Sequence, residues 1–265
     1  MRKPGFHDLT FSERIAAGLS KRLQGIIYTS RGGLAKGLRR KGGLGFLPGI
    51  AHPETAETRF LQALNFDGKT VYDIGGFQGI MTLFFAKTAA QVITFEANPA
   101  NAARINENAQ LNGFANVRVL NLAVGDREGL LSLCVDPSMT GTATGDPEIF
   151  EQIRHTVKGA QEFTVALTSI DSAIRRFELR EPDFVKIDIE GMELDALQGM
   201  VSLIASRKPQ LYLELHGTTE EDKRANAAGV IDFVRTQGYS VLDVEQDRDI
   251  TTTVPTGRES HIYAC

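Results

Sequence analysis

Val71-Tyr72-Asp73-Ile74-Gly75-Gly76-Phe77-Gln78-Gly79, running on into Ile80-Met81-Thr82-Leu83-Phe84-Phe85-Ala86, is the stretch that decides the fold. A short apolar run ends in an acid, a glycine-rich turn follows, and a helical stretch comes next. This is a strand–turn–helix unit suited to a nucleoside-bearing cofactor. The acid precedes the glycines, so the pattern is D-x-G-x-x-x-G and not G-x-G-x-x-G. An acid at a strand tip repels a pyrophosphate and attracts a cationic or amine-bearing ligand. S-adenosylmethionine carries an ammonium and a sulfonium and no phosphate.

Outward from this turn, apolar strands alternate with amphipathic helices. Strands are expected over residues 70–74, 91–96, 117–121, 183–189, 210–215, 240–244 and 261–264. Helices are expected over 54–64, 79–88, 99–112, 170–177, 193–206 and 219–237, with extra strands at 130–134 and 163–167. Such alternation predicts an α/β, Rossmann-like fold, a largely parallel sheet with helices on both faces. Residues 136–159, rich in glycine, threonine and polar groups, form a loop long enough to be functional or mobile.

The chain of 265 residues is 42% hydrophobic, enough for one sizeable α/β domain with an extension. Residues 1–50 hold ten Lys/Arg against two acids and ten of the 26 glycines. That shift sets a boundary near residue 50: a basic, Gly-rich extension over 1–50 and the cofactor-binding domain over 51–265. Thr10-x-x-Glu13 is a capping box, and Ile15, Leu19, Leu23 and Ile26/Ile27 follow at helical spacing. Glycine density argues against any regular element over 31–49. The extension reads first as an arm packed on the core with solvated charges; the sharper alternatives are a peripheral membrane contact and a funnel for an anionic acceptor. Cys134 and Cys265 form no metal-ligand spacing and no disulfide framework. No apolar run reaches membrane-spanning length and no secretory signal is visible, so the cytoplasm is the expected compartment.

Two further constellations carry chemistry. Strand two ends in Phe95-Glu96-Ala97-Asn98-Pro99. A carboxylate at Glu96 would accept both ribose hydroxyls and disfavour a 2′-phosphate. Asn98 either joins the cofactor site or caps the helix that Pro99 opens. In Asp183-Phe-Val-Lys186-Ile-Asp188-Ile-Glu190 the charges Lys186, Asp188 and Glu190 share one strand face, and in the next strand Tyr212, Glu214 and His216 do the same. Charges on buried strands need partners or a function. If the strands are neighbours, Asp188, Glu190, Glu214 and His216 converge beyond their carboxyl ends. His216 is then the first-choice general base and Asp188 the second. No divalent metal is expected, although the set would suit one.

Taken together, Val71–Gly79, Phe95–Pro99, Asn121-Leu-Ala-Val-Gly125 and Val185-Lys-Ile-Asp-Ile-Glu-Gly-Met-Glu-x-x-x-Leu-x-Gly199 resemble the FkbM family of S-adenosylmethionine-dependent methyltransferases. The resemblance runs from about residue 54 to the end. It implies the seven-stranded class I methyltransferase sheet with a reversed final strand. It also implies methyl transfer to a hydroxyl of a sugar, glycolipid or polyketide-type natural product. By position, Asp73, Gly75 and Gly79 would hold the methionine part and Glu96 the ribose. Leu122 and Ala123 would lie near the adenine, and Asp188 and Glu190 would face the methyl group or the acceptor. Gly76-Phe77 departs from the Ala-Asn of many members, and the basic extension is outside the shared pattern. The competing readings are an NAD-linked oxidoreductase and a non-catalytic cofactor-binding or scaffold protein. Nucleic acid is an unlikely partner: the body is acidic and no RNA-binding motif is visible.

Overall fold

The computed structural model describes residues 25–42, 55–135, 143–144, 150–151, 154–155, 157, 159–217, 219–250 and 260–265. The expected helix over 10–27 lies mostly outside them, as does most of the 136–159 loop. Fourteen strands among the described residues are β1 (Ile27–Thr29), β2 (Arg39–Lys41), β3 (Thr70–Ile74), β4 (Gln91–Phe95), β5 (Val117–Leu120), β6 (Ala123–Val124), β7 (Gly129–Val135), β8 (Ala143–Thr144), β9 (Gln161–Thr168), β10 (Phe184–Ile187), β11 (Gln210–Glu214), β12 (Val241–Asp243), β13 (Arg248–Asp249) and β14 (His261–Ala264). The helices that follow the sheet strands are α1 (Ala56–Ala63), α2 (Ile80–Ala86), α3 (Pro99–Leu111), α4 (Ile170–Phe177), α5 (Glu193–Gln198), α6 (Val201–Arg207) and α7 (Glu220–Thr236).

The main sheet runs β13-β12-β14-β11-β10-β3-β4-β5. Strands β11, β10, β3, β4 and β5 are parallel to one another, while β14 lies antiparallel to both β11 and β12. This is the expected class I architecture with its reversed strand, extended by the two-residue edge strand β13. The 130–134 and 163–167 segments do not join it. As β7 and β9 they form a second sheet of order β6-β9-β7-β8.

Side chains alternate across the main sheet, and so do its two cores. One face buries Tyr72, Ile74, Val185, Ile187, Leu211 and Leu213 beneath α4 to α7. The other buries Val71, Val92, Phe184 and Tyr212 against Leu61 of α1 and Phe85 of α2. Asp73, Lys186 and Glu214 belong to the second set by parity, so the charged face is the α1/α2 face.

Two local readings are corrected. Residues 193–206 are two helices, because Gly199 approaches the Gly125 carbonyl too closely for any Cβ and Asp171 of α4 caps α6. That carboxylate accepts from the Ser202 and Leu203 N–H groups at 2.8 and 3.0 Å. Residues 27–41 contain a regular element after all, the antiparallel β1/β2 pair. Ile27 is therefore a strand residue and not part of a helix. Side chains from α3 and its C-cap hold the edge of β2: Asn112 Oδ1 accepts from the Arg39 N–H and Asn108 Oδ1 from the Lys41 N–H, both at 2.8 Å. Ala35 and Leu38 are buried with Leu83 and Ala109, so residues 25–42 share the core although their composition differs. No helix among the described residues is long and apolar enough to cross a membrane.

Candidate functional site

The glycine turn is built for close approach. Gly75 has φ +83°, and a Cβ there would overlap the Asp188 carbonyl oxygen. Gly76 sits against Thr94 Cγ2 and Ile105 Cδ1, so even alanine lacks space. Phe77 adopts φ +49° and is exposed. That left-handed conformation suits Asn and strains an aromatic residue. Gly79 caps α2 in the left-handed region.

Asp73 is placed differently from the sequence expectation. Its carboxylate is fully buried rather than presented at a strand tip. It accepts from Thr82 Oγ1 at 2.6 Å and lies 3.5 Å from Lys186 Nζ. Burial raises its pKa, while Lys186 and Thr82 oppose that. Strand register explains the pairing, because Lys186 stands directly beside Asp73. Lys186 also donates to the Gly75 carbonyl and to Asp188 Oδ2, each at 2.9 Å. Burial alone would lower the Lys186 pKa, but the Asp188 and Asp73 charges more than reverse it. Asp73 thus supports the turn from within.

Glu96 lies just past β4 and is buried. Its oxygens accept from the Phe77 and Asn98 N–H groups, each at 2.7 Å. Burial pushes its pKa up to about 7 against those hydrogen bonds. Asn98 is the α3 N-cap: its Oδ1 accepts from the Ala100 N–H at 2.9 Å, so the capping alternative describes its side chain. Asn121, given no role from sequence, donates to the Glu96 and Ala97 carbonyls and fixes the strand tip. Leu122 is half-buried against the main core and Ala123 is buried in β6.

Beyond the ends of β10 and β11, His216 meets Asp188 and Glu214. Its Nε2 is 3.7 Å from Asp188 Oδ1 and 3.5 Å from Glu214 Oε1, and its Nδ1 donates to Glu193 Oε1 at 2.8 Å. Glu193 is fully buried and also accepts from Asn226 Nδ2 and the Gly191 N–H. Burial would lower the His216 pKa, but the Glu193 and Glu214 bonds raise it to about 11. Glu190 lies past the end of β10, in the left-handed region at φ +55° and exposed by surface area, yet its carboxylate still couples electrostatically to His216, Asp188 and Glu214, and desolvation raises its pKa.

A second histidine, not foreseen, continues the chain. His261 of β14 is the register partner of Glu214. Its Nε2 lies 3.5 Å from Glu214 Oε2 and 3.6 Å from Glu57 Oε1, and its Nδ1 bonds to Glu245 Oε1 at 2.5 Å. Burial opposes its charge, but the Glu214 and Glu245 bonds raise its pKa to about 10. A buried histidine opposite an acid-bearing strand was the available signal, but only the strand order makes them neighbours.

These two histidines tie stability to pH. Their folded pKa values, about 11 and about 10, lie above the ordinary value near 6.5. Their contribution is therefore complete below pH ~6.5 and is lost as pH rises through the folded values. The melting temperature should fall between pH 7 and 10, and His261→Gln should flatten that fall in scanning fluorimetry. An equally steep fall in the variant would show that His261 is neutral in the folded protein.

The chain is similar to known methyltransferases. The family model Methyltransferase FkbM domain matches residues 73–241. The hexuronic acid methyltransferase AglP of Haloferax volcanii is 28% identical over 137 residues, covering 51% of this chain and 52% of its own length. Methyltransferase 1 of Beauveria bassiana is 24% identical over 147 residues, covering 51% and 59%. The chain thus spans about half the length of these curated relatives. The crystal structure of methyltransferase FkbM from Methylobacillus flagellatus KT superposes with a TM-score of 0.50 at 16% identity, covering 77% of this chain and 45% of that one. That likeness shows the fold, and the family model spans the glycine turn, Glu96 and the Asp188–His216 cluster. The chain belongs to the FkbM methyltransferase domain family.

Proposed function

We propose that this protein is an S-adenosylmethionine-dependent O-methyltransferase acting on a hydroxyl of a sugar, glycolipid or polyketide-type natural product. The observation that carries the reading is Glu96, a buried acid at the tip of β4 that is hydrogen-bonded to the glycine turn, in a chain of a methyltransferase family. The donor set fits the cofactor. A carboxylate offers about four acceptor sites, and Glu96 uses two for backbone N–H groups and one for the Asn101 side chain, which leaves about one for a ribose hydroxyl rather than the two expected from sequence. An acid here disfavours a 2′-phosphate on the ribose. The match to a methyltransferase family favours this reading over the NAD-linked and scaffold alternatives. When bound, S-adenosylmethionine supplies an electrophilic methyl group on its sulfonium.

The chain's own residues would then do three things. Gly75, Gly76 and Gly79 bring backbone close to the ligand. Glu96 holds the ribose, with Leu122 and Ala123 beside the adenine. Asp188, Glu214 and His216 form the polar edge that an acceptor hydroxyl meets. The acids around His216 raise its pKa and favour the charged imidazole, which makes Asp188 the better candidate for proton acceptor. Asp188 keeps Oδ1 toward the cluster while Lys186 holds Oδ2. A saccharide acceptor draws support from AglP, whose name specifies a hexuronic acid. The basic residues 1–50 suit guidance of an anionic or membrane-borne acceptor.

Glu96→Ala should weaken S-adenosylmethionine binding by roughly 1.5–3 kcal/mol, the worth of a hydrogen bond to a charged group. Calorimetry should also show wild-type affinity rising with pH through about 7 as Glu96 ionises. Unchanged affinity in folded Glu96→Ala would remove Glu96 from the ribose site.

A further inference from the structure

We propose that Asp188, Glu214 and His216 form a binding site for one divalent cation of the Mg²⁺ or Mn²⁺ class at the carboxyl edge of β10 and β11. One donor atom from each of the three lies within 4.8 Å of the other two. Donors held about 2.1 Å from a common ion stand roughly 3.0 Å apart across a right angle and 4.2 Å apart when opposed. The 3.5 and 3.7 Å separations from His216 Nε2 to Glu214 and Asp188 fall in that range. Little side-chain movement is needed to close around an ion.

The surroundings support the same reading. Metal-bound histidines usually donate their other ring N–H to a carboxylate, which fixes the tautomer and aims the ligating nitrogen. Glu193 does this for His216, and Glu193 is itself pinned by Asn226 and the Gly191 N–H. Lys186 holds only one Asp188 oxygen, leaving the other toward His216. The three side chains are 19–29% exposed, so an ion has a way in and oxygen ligands have room beside it. One imidazole with two carboxylates suits Mn²⁺ or Mg²⁺ better than a thiolate-seeking metal.

The site's purpose rests on the functional reading above; cation binding itself does not. A bound ion would take the acceptor hydroxyl as a ligand and make it more acidic, its proton passing to solvent. His216 and Asp188 would then be ligands and not bases, contrary to the expectation of no metal. The alternative occupant of the same space is the proton on Nε2.

Titration of the full chain with Mn²⁺, followed by loss of the free-ion electron paramagnetic resonance signal, tests this. The expected result is one saturable ion per chain. Asp188→Asn and His216→Ala should each weaken it at least tenfold, and Glu193→Gln roughly 10–100-fold, as for an outer ligand. Circular dichroism establishes that each variant is folded. Absence of saturable binding, or equal binding in folded Asp188→Asn and His216→Ala, overturns the proposal. Calorimetry with S-adenosylmethionine in EDTA separates the two readings. Full binding and full methyl transfer in EDTA would overturn the cation role alone. Failure to bind the cofactor, with Mn²⁺ still bound, would overturn only the functional reading.

Discussion

Gly75→Ala should lose about 2–5 kcal/mol of stability, combining a left-handed residue with overpacking. The added methyl would meet the Asp188 carbonyl, and φ is +83°. Gly37→Ala is the matched control. Its φ is also +83°, but nothing lies within 4 Å of an added Cβ. It should lose only about 1–2 kcal/mol. Urea unfolding of the two variants separates backbone strain from the clash. Equal losses would mean that β10 yields easily and that the turn does not depend on its contact with Asp188. A larger loss at Gly75 should come with weakened cofactor binding, because the same shift displaces the turn.

Lys186→Met should cost about 3–5 kcal/mol, the usual result of removing one partner of a buried ion pair. The fully buried Asp73 loses the one cation within 4 Å among the described residues, and the Gly75 carbonyl loses a donor. Asp73→Asn in the same chain should recover part of the loss, since a neutral amide needs no counter-charge. A double-mutant cycle by chemical denaturation reads the coupling directly. Additive losses would show that Asp73 and Lys186 are not an energetic pair.

Much of this was legible in sequence because it is local. The run Thr70–Ile74, the glycine turn and the Pro99 helix start are set by neighbours a few residues away, and they appear where expected. The charged parity of Lys186/Asp188 and Glu214/His216 was equally visible, since alternation along a strand is fixed. What sequence could not supply was strand order and depth. Asp73 reads as a strand-tip acid until β10 places a lysine beside it. Glu193 reads as a helix-start acid until His216 folds over it. His261 lies 45 positions beyond His216 and meets Glu214 only because β14 inserts next to β11. The β1/β2 pair escaped for a similar reason: its outer backbone bonds go to asparagines on α3 and its C-cap, not to another strand.

The insertion of β14 between β11 and β12 has a consequence for biosynthesis. Strands β11 and β12 leave the ribosome before β14 does, and neither has the other as a neighbour. Until β14 arrives, the nascent sheet presents a gap with two unpaired edges, the kind of surface that recruits foreign strands. Glu214 waits through that interval beside the place His261 will occupy. Completion of the polar edge therefore waits for β14, and a chain without that strand would display an aggregation-prone sheet whose site is half assembled.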